Sequence, residues 1–147
     1  MALSFLPAQL LTKTGLRATA EVLSGKKAVA LYFSAHWCPP CRGFTPVAGD
    51  FYKSLASSDA SALEVIFVSS DEDDESFKEY YASMPWVSVA FDDESTRSAL
   101  GSKFGVRGIP AFIVVDPITG EVVDKDGRAT VTTNKDSPAG AMSKWAK

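Results

Sequence analysis

The two cysteines of the chain stand together in Trp37-Cys38-Pro39-Pro40-Cys41. Their spacing is informative on energetic grounds. A bridge between them closes a loop of four residues, for which chain entropy supplies at most about 2 kcal/mol, against about 4.7 kcal/mol for a loop of a hundred residues. As a staple the pair is poorly placed, whereas as a reversible switch it is well placed. A thiolate on Cys38 can attack an outside disulfide, and Cys41 stands close enough to resolve the mixed disulfide that forms. In a reducing compartment so close a pair reads as catalytic rather than structural. With one histidine and two cysteines, the chain cannot by itself build a four-ligand zinc site of the Cys/His type. The exchange chemistry calls for no metal and no organic cofactor.

The flanking segments say where the pair lies. Ala28 to Ser34, AVALYFS, is a short apolar run rich in strand formers. Gly43 to Leu55 places Phe44, Val47, Ala48, Phe51, Tyr52 and Leu55 at helical intervals, so the motif joins a strand to a helix. Pro39 suits the first helical turn, where no intrahelical donor is lost, and Cys38 then lies at the positive end of the helix dipole. Arg42 adds positive charge beside the thiolate. Cys38 is expected to be exposed at this helix start, and Pro46 is expected to bend the helix.

Further along, Leu63 to Ser69 reads as a second buried strand and Ser76 to Ser83 as a helix. The acidic run DEDDE at 71–75 between them is either a binding surface or the ordinary complement of a helix start. Val87 to Phe91 reads as a short strand, and Glu94 to Phe104 as a helix with Leu100 and Phe104 inward, ended by Gly105. Ala111 to Val115 is a third apolar strand, and the turn Asp116 to Gly120 leads into Glu121 to Asp124 as a hairpin. Ala56 to Ala62 reads as a surface loop. From Gly127 onward the residues are small and polar without a clear period, Lys135 to Gly140 reads as a loop or loose tail, and Trp145 either anchors a final short helix or dangles. One domain is expected over 1–147, with 1–22 an N-terminal extension of undecided structure and 129–147 a C-terminal tail.

Composition removes other classes. Of 147 residues, 46% are hydrophobic and 22% charged, which suits one core. Lys and Arg total 15 against 18 for Asp and Glu, a net charge of -3. No large basic surface is therefore available for nucleic acid. No apolar run approaches the roughly 18 to 20 residues needed to cross a bilayer. Met1 to Leu11 lacks a basic leader region, and the expected location is the cytoplasm, with the nucleus also open to it.

The motifs WCPPCRGFTP at 37–46, Met84-Pro85-Trp86 and Gly108-Ile109-Pro110 together resemble the tryparedoxin and nucleoredoxin branch of the thioredoxin-like superfamily, from about Leu23 to Arg128. The resemblance implies an α/β thioredoxin-like fold, a central mixed sheet flanked by helices on both faces. It implies a thiol-disulfide oxidoreductase acting through Cys38 and Cys41, with Trp37, Pro39, Pro40, Arg42, Ile109 and Pro110 around the substrate. Ile109-Pro110 would be a cis peptide, and the Ile109 backbone would pair with an extended substrate segment. Glu72 and Arg128 match positions that hold the small-thiol reductant. The implied partners are disulfide-bearing proteins and a small dithiol or reductase as electron donor, met by a monomer. Thioredoxins proper place a buried Asp where Tyr32 stands, so the base for Cys41 is Tyr32, a water or a more distant acid. Ser70 is similar to nucleoredoxins, since tryparedoxins carry Trp there. That leaves the reductant open.

His36 receives no catalytic role, and Trp86 reads as packing. The rival from another class is a docking module whose CxxC is merely redox-sensitive. The intact cysteines, both prolines and Ile109-Pro110 argue against it.

Overall fold

In the central strand β3 (Ala28–Ser34), every residue is buried and successive side chains serve opposite faces of the sheet. Ala28, Ala30 and Tyr32 join one core cluster, while Val29, Leu31 and Phe33 join the other. A strand covered on both sides reads as a continuous apolar run. The computed structural model describes residues 3–146. Around β3 it sets β4 (Leu63–Ser69) in parallel register and β6 (Ala111–Val115) antiparallel.

Among the described residues the sheet has seven strands, in the order β2-β1-β5-β4-β3-β6-β7. Here β1 is Gln9–Thr12, β2 is Gly15–Ala18, β5 is Val87–Ser88 and β7 is Val122–Asp124. The expected hairpin of the last two strands is present, with Asp116 Oδ1 accepting the Ile118 amide at 2.7 Å in its turn. The strand expected over Val87 to Phe91 ends at Ser88, where pairing with β4 and β1 stops. The N-terminal segment is no appendage. β1 and β2 form a hairpin, and Leu11 of β1 pairs with Ser88 to extend the sheet. A short helix α1 (Thr19–Val22) then leads into β3.

Helix α2 (Pro39–Ser58) covers one face with Phe44, Ala48, Phe51 and Leu55. It runs past the expected loop start at Ala56, and Ala62 is buried at the head of β4. On the same face lie α3 (Asp74–Tyr81), α5 (Gly127–Thr133) and α6 (Ala139–Trp145), through Phe77, Tyr80, Val131, Ala141 and Trp145. The other face is covered by Leu3, Leu6, Leu23 and the helix α4 (Glu94–Lys103), whose Leu100 is buried. Phe104 lies just beyond it and packs against the same cluster. Gly105 follows with φ of 63°, the left-handed geometry expected of a helix stop.

The loop expected at Lys135 to Gly140 is present as far as Pro138, and Trp145 does anchor a short helix, but 129–147 is not a tail. From Gly127 the chain folds into α5 and α6, because Val131, Ala141 and Trp145 find apolar partners that a local pattern does not reveal. Asp124, itself buried, ties the region together by accepting from the Thr130 hydroxyl at 2.6 Å and the Trp145 indole at 2.9 Å.

Candidate functional site at the start of helix α2

Cys38 is the N-cap of α2, extended at φ -95° and ψ 108°, and Pro39 opens the helix as its missing N–H allows. The Cys38 sulfur accepts the Cys41 amide hydrogen at 3.3 Å, so a backbone donor at the helix start points at the sulfur that carries charge as a thiolate. The two cysteines are joined in a disulfide. Cys41 is fully buried. Cys38 is only 4% exposed, against the expectation of an open sulfur. Ala35 and Ile109 pack over the pair. The Ile109 carbonyl oxygen lies 3.8 Å from the Cys38 sulfur, and Ile109-Pro110 is cis, as the resemblance implied.

Pro39, Pro40 and Arg42 are exposed around this covered pair. Trp37 is 58% exposed, and its indole N–H donates to the Ser70 carbonyl at 3.1 Å. The neighbouring His36 amide donates to Asp71 Oδ1 at 2.7 Å, while Asp71 Oδ2 accepts the Ser69 hydroxyl at 2.8 Å. Two hydrogen bonds thus latch the approach to Cys38 onto the turn that follows β4. The His36 ring stacks on Tyr80, with centroids 5.3 Å apart.

The acidic run divides residue by residue. Asp71 is buried beneath the site, and Asp73 caps α3 by accepting the Ser76 amide at 2.7 Å. That bond holds its carboxyl below the usual range. Asp74 and Glu75 fill the first turn of α3. Glu72 stands exposed two residues beyond the carbonyl that holds Trp37. Arg128, from the first turn of α5, reaches the Pro110 carbonyl at 3.4 Å and lies 5.8 Å from the Phe44 ring centre. Contacts therefore bring Trp37, Cys38, Cys41, Ile109, Pro110 and Arg128 into one neighbourhood.

Tyr32 meets the backbone of Cys41 from β3. It is fully buried, and burial pushes its hydroxyl far above the ordinary tyrosine range, so it stays protonated. Its hydroxyl sits 2.6 Å from Thr45 Oγ1 and 3.3 Å from the Cys41 carbonyl oxygen. The roles of Thr45, Asp71 and Tyr80 escaped sequence reasoning, because hydroxyls and a carboxylate scattered over three segments carry no spacing signal. Among the described residues, no group of three or more His, Cys, Asp or Glu could hold a metal, and no helix is long and apolar enough to cross a membrane.

A family model described as thioredoxin-like matches residues 25–122. Tryparedoxin of Trypanosoma brucei brucei is 42% identical over 136 residues, covering 92% of this chain and 90% of that protein. Mouse nucleoredoxin is 43% identical over 127 residues, 86% of this chain. The chain spans only 28% of that nucleoredoxin's length. Among solved structures, tryparedoxin II complexed with glutathionylspermidine superposes with a TM-score of 0.85 at 35% identity, covering 93% of this chain and 95% of that one. Tryparedoxin from Trypanosoma brucei gives 0.83 at 41% identity, covering 99% and 97%.

Proposed function

Because the chain belongs to the tryparedoxin and nucleoredoxin branch of the thioredoxin-like family, we propose that it is a thiol-disulfide oxidoreductase that reduces disulfides of proteins or small molecules. The observation that carries the reading is the environment of Cys38. Its sulfur caps a helix and accepts the Cys41 amide, which favours a thiolate, and it lies beside the Ile109 backbone offered to an extended substrate.

The Cys38 thiolate attacks one sulfur of the substrate disulfide, forming a mixed disulfide and releasing the first substrate thiolate. Cys41 loses its proton to solvent and attacks the Cys38 sulfur, so the second substrate thiolate leaves and the Cys38-Cys41 disulfide forms. Two electrons have passed to the substrate. A dithiol donor returns them by the reverse exchange. The likeness to a tryparedoxin complexed with glutathionylspermidine supports a donor of that small-thiol class. Exposed Glu72 and Arg128 offer it opposite charges, in a monomer working in a reducing compartment such as the cytoplasm.

The test is a turnover assay on a disulfide-bonded protein with a dithiol as donor. Cys38→Ser is expected to abolish turnover, and Cys41→Ser to accumulate a covalent substrate adduct visible by mass spectrometry. Full turnover by Cys41→Ser would overturn the assignment. A wild-type chain that binds the protein but leaves its disulfide intact would favour the docking module.

A further inference from the structure

Of the three prolines in α2, only Pro46 costs the helix a backbone bond. Pro39, Pro40 and Pro46 carry no N–H, and Pro46 removes the bond that the Arg42 carbonyl would receive four residues along the helix. The resolving cysteine, Cys41, lies in the first turn of this helix. Its carbonyl oxygen accepts the Thr45 hydroxyl at 3.0 Å. Thr45 Oγ1 in turn lies 2.6 Å from the Tyr32 hydroxyl and 2.7 Å from the Tyr80 hydroxyl, and Tyr80 lies 2.7 Å from Ser34 Oγ.

All four hydroxyl-bearing residues are buried. One arrangement satisfies them together, each hydroxyl donating once. Ser34 donates to Tyr80, Tyr80 and Tyr32 donate to Thr45, and Thr45 donates to the Cys41 carbonyl. Every O–H dipole then points toward Cys41, and hydrogen bonds in series polarise one another in a buried setting. The chain is anchored in β3 through Ser34 and Tyr32 and in α3 through Tyr80, so three elements converge on one backbone oxygen.

We propose that Ser34, Tyr80, Thr45 and Tyr32 form a positioning relay that fixes Cys41 for the second step of exchange, the resolution of the mixed disulfide. The proposal rests on the two-cysteine exchange above. Thr45 is its hinge, because it alone of the four contacts both tyrosines and the Cys41 carbonyl.

The test mixes reduced protein with an aromatic disulfide, dithiobis(nitrobenzoate), in a stopped-flow spectrometer. Attack by Cys38 releases one coloured thiolate, and resolution by Cys41 releases the second, so the two steps are read separately. Thr45→Val is expected to slow the second phase about fivefold or more, the size of one or two ordinary hydrogen bonds, with the first phase within about twofold. Thr45→Ser, which restores the hydroxyl, should recover the second phase. Tyr80→Phe, which keeps the ring, should slow that phase in the same direction and serves if the valine variant does not fold. Equal slowing of both phases, an unchanged second phase, or failure of serine to restore it would overturn the relay. A wild-type chain that releases no second thiolate would instead overturn the two-cysteine exchange.

Discussion

The guanidinium of Arg128 lies 3.4 Å from the carbonyl oxygen of Pro110, so a side chain from the start of α5 is tied to the backbone that faces the disulfide. Held this way, it presents fixed positive charge at the rim of the site, while Glu72 presents negative charge from the turn after β4. Arg128→Ala and Glu72→Ala are each expected to raise KM for a glutathionylspermidine-type dithiol about fivefold, in line with charge-assisted contacts, while kcat changes by less than about twofold. Steady-state kinetics at fixed protein substrate check this. An unchanged KM in both variants would leave the two side chains as solvated surface.

The same helix start depends on Gly127 having no side chain. A Cβ placed there would stand 2.4 Å from the Phe112 carbonyl oxygen and 2.6 Å from a carbon of its ring. Gly127→Ala must push α5 away from β6 and is expected to cost about 1–3 kcal/mol of stability, the usual range for overpacking. It should also shift the KM that Arg128 controls. Urea unfolding and the same kinetics measure the two effects.

Trp145 is 2% exposed, stacks on Phe112, meets Phe51 edge to face, and donates to buried Asp124. Trp145→Ala is expected to cost about 3–5 kcal/mol, the range for removing a large buried aromatic. A loss under about 1 kcal/mol in urea unfolding would mean that α6 contributes little to the core.

Those last two residues mark where sequence patterns stopped being legible. The strand-motif-helix unit from Ala28 to Leu55 could be read directly, because seven residues covered on both faces form an apolar run and α2 shows a clean helical stripe. The α5 segment, GRATVTT, is poor in strong helix formers and buries Gly127 and Val131. Its helix exists through contact with β6 and α2, partners far away in sequence. The N-terminal hairpin was hidden for a related reason. Every residue of β2 is exposed, so no alternation marks it as a strand. At the site, Cys38 and Cys41 followed from their motif, and the cis proline from the family resemblance. The hydroxyls behind Cys41 did not, because only the fold brings Ser34, Thr45 and Tyr80 together.

Glu64 provides a pH signature. Burial raises its carboxyl above the usual range, although the Tyr52 hydroxyl donates to it at 3.0 Å and Lys26 stands 3.8 Å away. The native state therefore holds the proton more tightly than the unfolded chain. Stability associated with this group is greatest at acidic pH, declines as pH rises from the ordinary carboxylate range through the raised value, and then levels off. Glu64→Gln should remove that decline, so the stability difference between variant and wild type grows in the variant's favour from about pH 4 to pH 8. A pH series of urea unfolding curves gives the slope directly, and a constant difference would contradict the assignment.

His36 is the chain's single histidine, and its ring lies nearly parallel to Tyr80, 15° between planes, one residue before Trp37. In a proton magnetic-resonance spectrum one imidazole accordingly stands without overlap from any other, displaced by the ring current of the tyrosine beneath it. Because that tyrosine contacts Thr45, whose hydroxyl reaches the Cys41 carbonyl, a rearrangement at the resolving cysteine is reported by one resolved resonance in an unlabelled sample.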